Sequence, residues 1–224
     1  MDLKPRLRAI IFDMDGLMFD TERLAQEAWQ QAARDFGHEF PSEAFTWIVG
    51  LRRADVERYS QQIFGAEFPF DLVYARRQAY LDEYIAARGI PLKPGLLELL
   101  AKVKAAGLAR ALASSTARRI IERNLKSVGL DQGYFNVIIG GDEVQNGKPA
   151  PDIFLLACHR LKVPAQSCLV LEDSNAGIQA AHAAGMPAIM VPDMLAPTPE
   201  SRRYACQILP NLQAVSRLLF PDEG

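Results

Sequence analysis

Short apolar blocks recur along the chain and predict buried strands. The first block spans residues 9–12 and ends at Asp13. Blocks without alternating polar positions are typical of strands that are buried on both faces, as in a parallel sheet. Similar blocks follow at residues 108–113, 137–139, 169–171 and 188–191, so the pattern predicts the strands of one parallel sheet.

Amphipathic stretches separate these blocks and predict helices. Apolar residues at positions 96, 97, 99, 100 and 103 mark one helix face, and Gly107 follows where a helix end is expected. Further helices are predicted around residues 120–128, 152–161 and 177–184. Strands that alternate with helices indicate βαβ units with right-handed crossovers, so the predicted fold class is α/β with a parallel sheet.

One long segment departs from this alternation. Residues 20–89 contain no strand block, and their apolar positions follow the helical period, as in the face formed by Leu24, Ala28 and Ala32. The prolines and glycine at 91–95 mark the return to the alternating pattern. We therefore expect an α/β core domain built from residues 1–19 and 90–224, with a helical domain of residues 20–89 inserted after the first strand.

Composition and charge narrow the possible partners. The net charge of -2 and the isoelectric point near 6.0 provide no basic field for nucleic acid. No segment approaches the roughly 20 apolar residues of a membrane helix. The three cysteines lack the spacing of a metal site and are expected to be buried in a reducing compartment. We expect a cytoplasmic protein, a monomer or weak dimer, without nucleic-acid or membrane partners.

Polar side chains follow the predicted strands at the points where the strands end. The carboxyl ends of parallel strands meet at one edge of a sheet, where α/β proteins bind their ligands. The residues at these positions are Asp13 and Asp15 after the first strand, 114–116 after the second, 140–142 after the third, Lys148 shortly beyond it, and Glu172 with Asp173 after the fourth. Each alone is ordinary, as a turn, a helix cap or a surface lysine. Their joint placement indicates a functional cluster.

The residue types of this cluster suit phosphoryl transfer. Carboxylates of Asp13, Asp15 and Asp173 are the hard oxygen ligands that Mg²⁺ accepts beside a substrate phosphate. Lys148 supplies a compact positive charge, and the Ser114 hydroxyl can donate a hydrogen bond to a phosphoryl oxygen. One carboxylate can attack phosphorus while the other transfers protons, which predicts Asp13 and Asp15 in these two roles.

Four segments resemble, in order and spacing, the motifs of the haloacid dehalogenase (HAD) superfamily, and the resemblance covers essentially the whole chain. The first is Phe12-Asp13-Met14-Asp15-Gly16 and the second is Leu112-Ala113-Ser114-Ser115. The third is Gly147-Lys148-Pro149 with Pro151-Asp152, and the fourth is Leu171-Glu172-Asp173-Ser174. This resemblance implies a Rossmann-like core with helices on both faces. It also implies that the insert is the helical cap of the subgroup containing β-phosphoglucomutase and many small-metabolite phosphatases.

The resemblance also implies a role for each motif residue. Asp13 would be the nucleophile and Asp15 the general acid and base. Ser114, with Ser115 beside it, and Lys148 would hold the phosphoryl group of a small phosphorylated metabolite. The cofactor would be Mg²⁺, and its ligands would be Asp13, the backbone carbonyl of Asp15 and Asp173, with Glu172 nearby or bound through water.

The chain departs from the mutase pattern within the cap. Ala25 stands where β-phosphoglucomutase carries a histidine, and Val49 precedes Gly50 where a lysine is expected. Both differences favour water over a second hydroxyl as phosphoryl acceptor. The expected activity is therefore that of a phosphatase acting on a sugar phosphate or on a nucleoside or pseudouridine monophosphate. A hexose phosphate mutase, a phosphoglycolate phosphatase and a non-enzymatic regulatory or binding protein on the same scaffold are the alternatives.

The cap residues that would select the substrate are less clearly marked. Arg52 and Arg53 follow Gly50 in the stretch that resembles a substrate-facing loop, and either could contact a sugar or a second anion. Solvated surface arginines are an equal alternative for this pair. We also expect the cap to close over the core, with hinges near residues 19–20 and 89–94.

Overall fold

A computed structural model describes residues 7–131 and 133–221 of the 224-residue chain. Its centre is a six-stranded parallel sheet with the strand order β3-β2-β1-β4-β5-β6. The strands are β1 (Ala9–Phe12), β2 (Ala109–Ala113), β3 (Val137–Ile139), β4 (Cys168–Glu172), β5 (Ala188–Met190) and β6 (Gln207–Ile208). The predicted α/β fold class is confirmed, and each of the five apolar blocks contains a strand. The sixth strand was not predicted, because its two edge residues are not an apolar block.

Ten α-helices accompany the sheet within the described residues. Four lie between β1 and β2, and they are α1 (Glu22–Asp35), α2 (Ser42–Ile48), α3 (Arg53–Phe64) and α4 (Phe70–Arg88). The others are α5 (Leu96–Ala105), α6 (Arg118–Ser127), α7 (Asp152–Leu161), α8 (Asn175–Ala183), α9 (Pro199–Tyr204) and α10 (Leu212–Leu219). The helix predicted at 152–161 has these bounds, whereas α9 and α10 were not predicted.

Successive residues of the central strand point to opposite faces of the sheet and belong to two different hydrophobic clusters. Ile10 and Phe12 pack in the cluster that contains the buried faces of α5, α6 and α10. Ala9 and Ile11 pack in the cluster of α7 and α8. Helices therefore cover both faces, which explains why this strand is apolar at every position.

The helical segment between β1 and β2 has a hydrophobic cluster of its own. Trp29 on α1 is buried at its centre, stacked on Phe40 with ring centroids 5.2 Å apart and edge-on to Tyr74 of α4 at 5.9 Å. Burial of such an aromatic ring makes truncation to alanine cost about 3–5 kcal/mol. The four helices thus pack around their own apolar centre rather than only against the sheet.

Two antiparallel connections join this helical segment to the core. The amide of Asp20 donates to the carbonyl of Pro91 at 2.9 Å, and the amide of Lys93 donates to the carbonyl of Met18 at 2.8 Å. The Lys93 ammonium also binds Asp20 at 2.9 Å and Asp193 at 2.7 Å. Hydrogen bonds and charge therefore fix the two connections side by side, at the positions where the hinges are predicted.

Two other expectations concern the surface and the cysteines. No helix in the described ranges is both long enough and apolar enough to span a membrane. Cys158 and Cys168 are buried as expected, with their sulfur atoms 3.1 Å apart. The expectation is wrong for Cys206, which is exposed because it directly precedes the short edge strand β6.

Candidate active site

The carboxyl edge of the sheet brings together the polar residues predicted from the strand ends. Asp13 follows β1, and its amide donates to the carbonyl of Leu171 on β4 at 3.0 Å. Ser114 follows β2, and its amide donates to the carbonyl of Ile139 on β3 at 3.1 Å. The parallel pairing therefore extends one residue beyond the strands and fixes both backbones at the sheet edge.

Lys148 lies at the centre of this cluster. Its ammonium group donates to Asp13 Oδ1 at 2.5 Å and also to Glu172 Oε1. The side chain is 2% exposed, so the charges attract each other through a medium that water screens poorly. Burial alone would lower the pKa of Lys148, but the carboxylates of Asp13 and Glu172 raise it above the usual value. Lys148 is therefore a fixed positive charge.

Three carboxylates surround this single cation. Oxygen atoms of Asp13, Glu172 and Asp173 lie within 4.8 Å of one another, and all three residues are buried. Burial, followed by the negative charge of Glu172, raises the pKa of Asp13 to about 8 even though Lys148 opposes the shift. Burial and the charges of Glu172 and Asp13 also raise the pKa of Asp173 well above its usual value. If all three carboxylates were ionised, the cluster would carry more negative charge than Lys148 balances, as expected of residues that hold a divalent cation.

The three carboxylates differ in how far protein groups already bind them. Glu172 Oε1 accepts from Lys148, while Oε2 accepts from the amide of Ser174 at 2.8 Å and from its hydroxyl at 2.9 Å. Asp173 receives no such hydrogen bond within the described residues. A Cβ atom on Gly16 would lie 2.2 Å from Asp173 Oδ2, so a glycine is needed there. The donor set of Asp13 and Asp173 therefore fits Mg²⁺, and Glu172 fits an indirect role.

Asp15 is oriented by hydroxyl groups from two sides. Thr21, at the entry to α1, donates to Oδ1 at 3.1 Å, and Thr116 donates to Oδ2 at 2.8 Å. The Ser114 hydroxyl lies 3.5 Å from Oδ2. The sequence analysis did not identify Thr21 and Thr116 as partners, and the available signal was that Thr116 directly follows the second motif and Thr21 lies five positions beyond the first.

A cavity of about 640 Å³ lies between the helical segment and the sheet edge. Asp13, Asp15 and Ser114 line it on the sheet side, and Trp29 and Leu81 line it on the helical side. No histidine occurs among the described residues that line it, and Ala25 stands at the mutase histidine position. The site is thus a partly open cavity of the size that takes a small metabolite.

The cavity contains an acidic and a basic side chain, Glu22 and Arg77, that the sequence did not indicate. Glu22 is 7% exposed and has no side-chain hydrogen bond within the described residues, and burial, followed by the charge of Asp15, raises its pKa to about 8. Arg77 lies against the rings of Trp29 and Tyr74, each 5.9 Å away, and its Nε atom is buried without a partner in the described chain. The signal was helical spacing, since Glu22 precedes Trp29 by seven positions on one face of α1.

Three candidate substrate-contacting residues line the cavity and also bind protein groups. The Ser115 hydroxyl donates to the carbonyl of Gly50 at 2.7 Å. Arg52 binds Asp55 and the carbonyl of Val144. Arg53 pairs with Asp71, with its guanidinium over two aromatic rings of α4, and half of its side chain is exposed. The structure therefore gives these three side chains partners within the protein.

Comparison with known proteins identifies relatives over most of the chain. It is 36% identical over 207 residues to the "Probable pseudouridine-5'-phosphatase" of Drosophila melanogaster, covering 90% of this chain and 88% of that one. It is 34% identical over 183 residues to the "Phosphorylated carbohydrates phosphatase" of Thermotoga maritima, covering 80% and 82%. It also matches 18% of the much longer "Protein SUPPRESSOR OF QUENCHING 1, chloroplastic" of Arabidopsis thaliana at 36% identity, over 83% of this chain.

A solved structure and a family-wide sequence pattern agree with these relatives. The crystal structure of CbbY from Rhodobacter sphaeroides in complex with phosphate superposes with a TM-score of 0.77 at 28% identity, covering 92% of this chain and 95% of that one. The sequence model of the family described as haloacid dehalogenase-like hydrolase matches residues 10–191. That match spans β1, the helical segment, Lys148 and the pair Glu172-Asp173. The chain therefore belongs to the haloacid dehalogenase-like hydrolases, and it is a phosphatase-type member of that family.

Proposed function

We propose that this protein is a Mg²⁺-dependent phosphatase that hydrolyses a small phosphorylated metabolite through an aspartyl-phosphate intermediate on Asp13. The observation that carries the proposal is the buried cluster of Asp13, Lys148 and Asp173, which reaches the cavity through Asp13, with Asp15 beside it in the cavity wall. Such a cluster combines a nucleophile, a phosphoryl-binding cation and oxygen ligands for a metal, which phosphoryl transfer requires.

Asp13 and Asp173 would hold the Mg²⁺, and Glu172 would support them through its contacts with Lys148 and Ser174. The bound cation would neutralise charge on the carboxylates and on the phosphoryl oxygens. The excess negative charge of the cluster supports this assignment. Lys148 adds a fixed positive charge at the same place, and the Ser114 hydroxyl is available to donate to a phosphoryl oxygen.

The proposed reaction has two steps, in which Asp13 carries the phosphoryl group and Asp15 transfers the protons. Asp13 attacks phosphorus, so its oxygen forms a bond to phosphorus while the bond to the leaving oxygen breaks, and Asp15 donates a proton to that oxygen. Water then attacks phosphorus, the bond to Asp13 breaks, and the proton of the water returns to Asp15. Thr21 and Thr116 orient the Asp15 carboxylate for both transfers.

The cavity wall supports a leaving group that carries hydroxyl groups. Glu22 offers carboxyl oxygens as hydrogen-bond acceptors, and Arg77 offers its Nε–H as a donor. Neither group has a hydrogen-bond partner within the described protein. Buried polar groups are normally paired, so a bound ligand with both donors and acceptors would complete them. A sugar phosphate or a nucleoside or pseudouridine monophosphate has these groups. The activities named for the fly and Thermotoga relatives support the same class.

Water is the proposed phosphoryl acceptor rather than a second sugar hydroxyl. A mutase needs a cap group that activates the substrate hydroxyl, and Ala25 offers none at the position where the mutase has histidine. The described residues that line the cavity include no histidine. We extend the proposal to a cytoplasmic enzyme that works as a monomer or weak dimer without nucleic-acid or membrane partners.

Phosphate release from a panel of sugar, nucleotide and small-acid monophosphates tests the proposal. We expect release that requires Mg²⁺ and that is strongest for hydroxyl-rich leaving groups. Asp131→Asn, an exposed carboxylate change far along the chain, is the matched control for Asp13→Asn. Bisphosphate-primed isomerisation of a sugar phosphate without net phosphate release would replace the proposal with the mutase. The absence of turnover on every compound would favour a regulatory protein.

A further inference from the structure

The loop between α2 and α3 lies directly on the core loops of the active site. The Gly50 carbonyl of this loop accepts the Ser115 hydroxyl, 65 residues away in sequence, at 2.7 Å. Gly50 has φ +77°, and a Cβ atom there would lie 2.9 Å from the Ser174 hydroxyl. The loop therefore contacts the residue after Ser114 and the residue after Asp173, and a side chain at position 50 would separate them.

Arg52 makes the next contact from the same loop. Its Nη1 donates to the carbonyl of Val144 in the core at 3.1 Å, and its Nε donates to Asp55 of α3 at 3.0 Å. The Arg52 side chain is only 22% exposed and that of Asp55 only 14%. Asp55 thus orients the guanidinium, and the guanidinium bridges from the helical segment to a core carbonyl.

The Arg52 side chain also packs against the backbone of Gly147, next to Lys148. A Cβ atom on Gly147 would lie 2.8 Å from both Cγ and Cδ of Arg52, and 2.9 Å from Asp55 Oδ2. The absence of a side chain at position 147 lets Arg52 lie against the main chain. Because Gly147 adjoins Lys148, Arg52 lies against the loop that carries the buried cation.

We propose that Arg52 is a positioning residue that couples closure of the helical cap to the placement of Lys148, and that it does not contact the leaving group. Its guanidinium has protein partners on both sides of the cap–core boundary, whereas Glu22 and Arg77 retain unsatisfied groups. The contact with Val144 exists only when the cap lies on the core. Closure thereby holds the 144–148 loop, and misplacement of a catalytic group by about 1 Å can reduce rate by about 10²-fold.

Arg52→Gln tests the proposal against Arg58→Gln as the control. Arg58 also pairs with Asp55, but its side chain is 63% exposed and makes no hydrogen bond or ion pair with the core among the described residues. We expect Arg52→Gln to lower kcat about tenfold, with little change in KM and by the same factor for every substrate. Arg58→Gln should stay within about twofold. A loss confined to KM, or one that differs strongly between leaving groups, would assign Arg52 to substrate recognition and overturn the proposal.

A double-variant cycle with Gly147→Ala supplies a second, independent measurement. The added methyl group should clash with Arg52 and lower kcat about tenfold in the otherwise unchanged protein, but much less in Arg52→Ala. Equal losses in the two backgrounds would overturn the coupling. Hydrogen exchange of the amides at 144–148 provides a readout that needs no activity. These amides should exchange faster in Arg52→Gln than in Arg58→Gln, provided that both variants keep the melting temperature of the parent.

Discussion

Ionisable side chains are paired with one another at the sheet edge of the cavity but not on its helical wall. At the sheet edge, Lys148 is paired with Asp13 and Glu172, and the three buried carboxylates lie close enough together to hold a metal ion. On the helical side, Glu22 and Arg77 line the same cavity without completing each other's hydrogen bonds. The paired groups at the sheet edge suit the same reaction on any phosphate ester. The unpaired groups on the helical wall suit recognition of a particular leaving group.

This difference explains why two regions of one cavity can vary separately. The reacting groups stand at the ends of strands that are buried on both faces, so the sheet fixes their positions. The helical segment packs around Trp29 and its own apolar cluster, so its cavity face can change without disturbing the sheet. Chemistry and selectivity are therefore expected to respond to different substitutions.

The largest expected effect is loss of the nucleophile. Asp13→Asn should lower kcat at least about 10³-fold, because an amide cannot form the phosphoryl intermediate. The loss should be equal for all substrates. The variant should fold at least as well as the parent, since it removes one negative charge from a cluster with an excess of them. Steady-state kinetics together with thermal unfolding check both points, and residual activity within tenfold of the parent would remove Asp13 from this role.

Removal of the buried cation should affect both rate and stability. Lys148→Met should lower kcat about 10²- to 10³-fold by removing a charge that stabilises the phosphoryl oxygens. It should also lower the unfolding free energy by about 3–5 kcal/mol, since Asp13 and Glu172 lose their buried partner. Denaturant unfolding with and without Mg²⁺ measures this cost. Unchanged stability in the absence of metal would show that the three groups are not coupled.

A change in the helical wall should alter selectivity more than rate. Glu22→Gln should change the ratio of kcat/KM between a hydroxyl-rich substrate and a simple aryl phosphate by about tenfold, the value of about one hydrogen bond. Asp13 and Lys148 keep their geometry in this variant, so the aryl phosphate should be hydrolysed at close to the parent rate. Glu27→Gln, at an exposed position of the same helix, is the control. An equal loss on both substrates would place Glu22 with the reacting groups.

The smallest expected effect is a pH-dependent gain in stability from the same change. The pKa of Glu22 is raised from 4.5 to about 8 by burial and by Asp15, with Asp13 and Asp193 adding to the shift and Arg77 opposing it. The folded state therefore binds a proton that the unfolded state releases between these values, and stability from this group falls as pH rises through that window.

Glu22→Gln lacks this titration, so its stability relative to the parent should increase between pH 4.5 and 8. We expect a gain of about 1–3 kcal/mol at pH 8 and little difference at pH 4. Thermal or denaturant unfolding of the two proteins across this range measures it, and Glu27→Gln should show no such trend. A stability difference that stays constant at all pH values would mean that the folded protein does not raise the pKa of Glu22.

The sequence predicted the sheet edge far better than the helical wall, for a physical reason. Strand ends are fixed by short apolar blocks, so Asp13, Ser114 and Asp173 could be assigned to one edge before any coordinates. The wall depends on which helical residues turn inward when the cap packs on the core. Ordinary helical positions such as Glu22 carry no motif, and the contact of Arg52 with Val144 could not be predicted because the two residues are 92 positions apart.

Phosphate release from the substrate panel, with Mg²⁺ and with a chelator, tests the central assignment most directly. We expect release from every responsive substrate to depend on Mg²⁺, while the preference among substrates follows the hydroxyl groups of the leaving group. Chelation should abolish turnover of preferred and poor substrates alike, because both use Asp13 and Asp173. Undiminished release in the chelator would contradict the account, since the carboxylate cluster would then work without the cation it is proposed to hold.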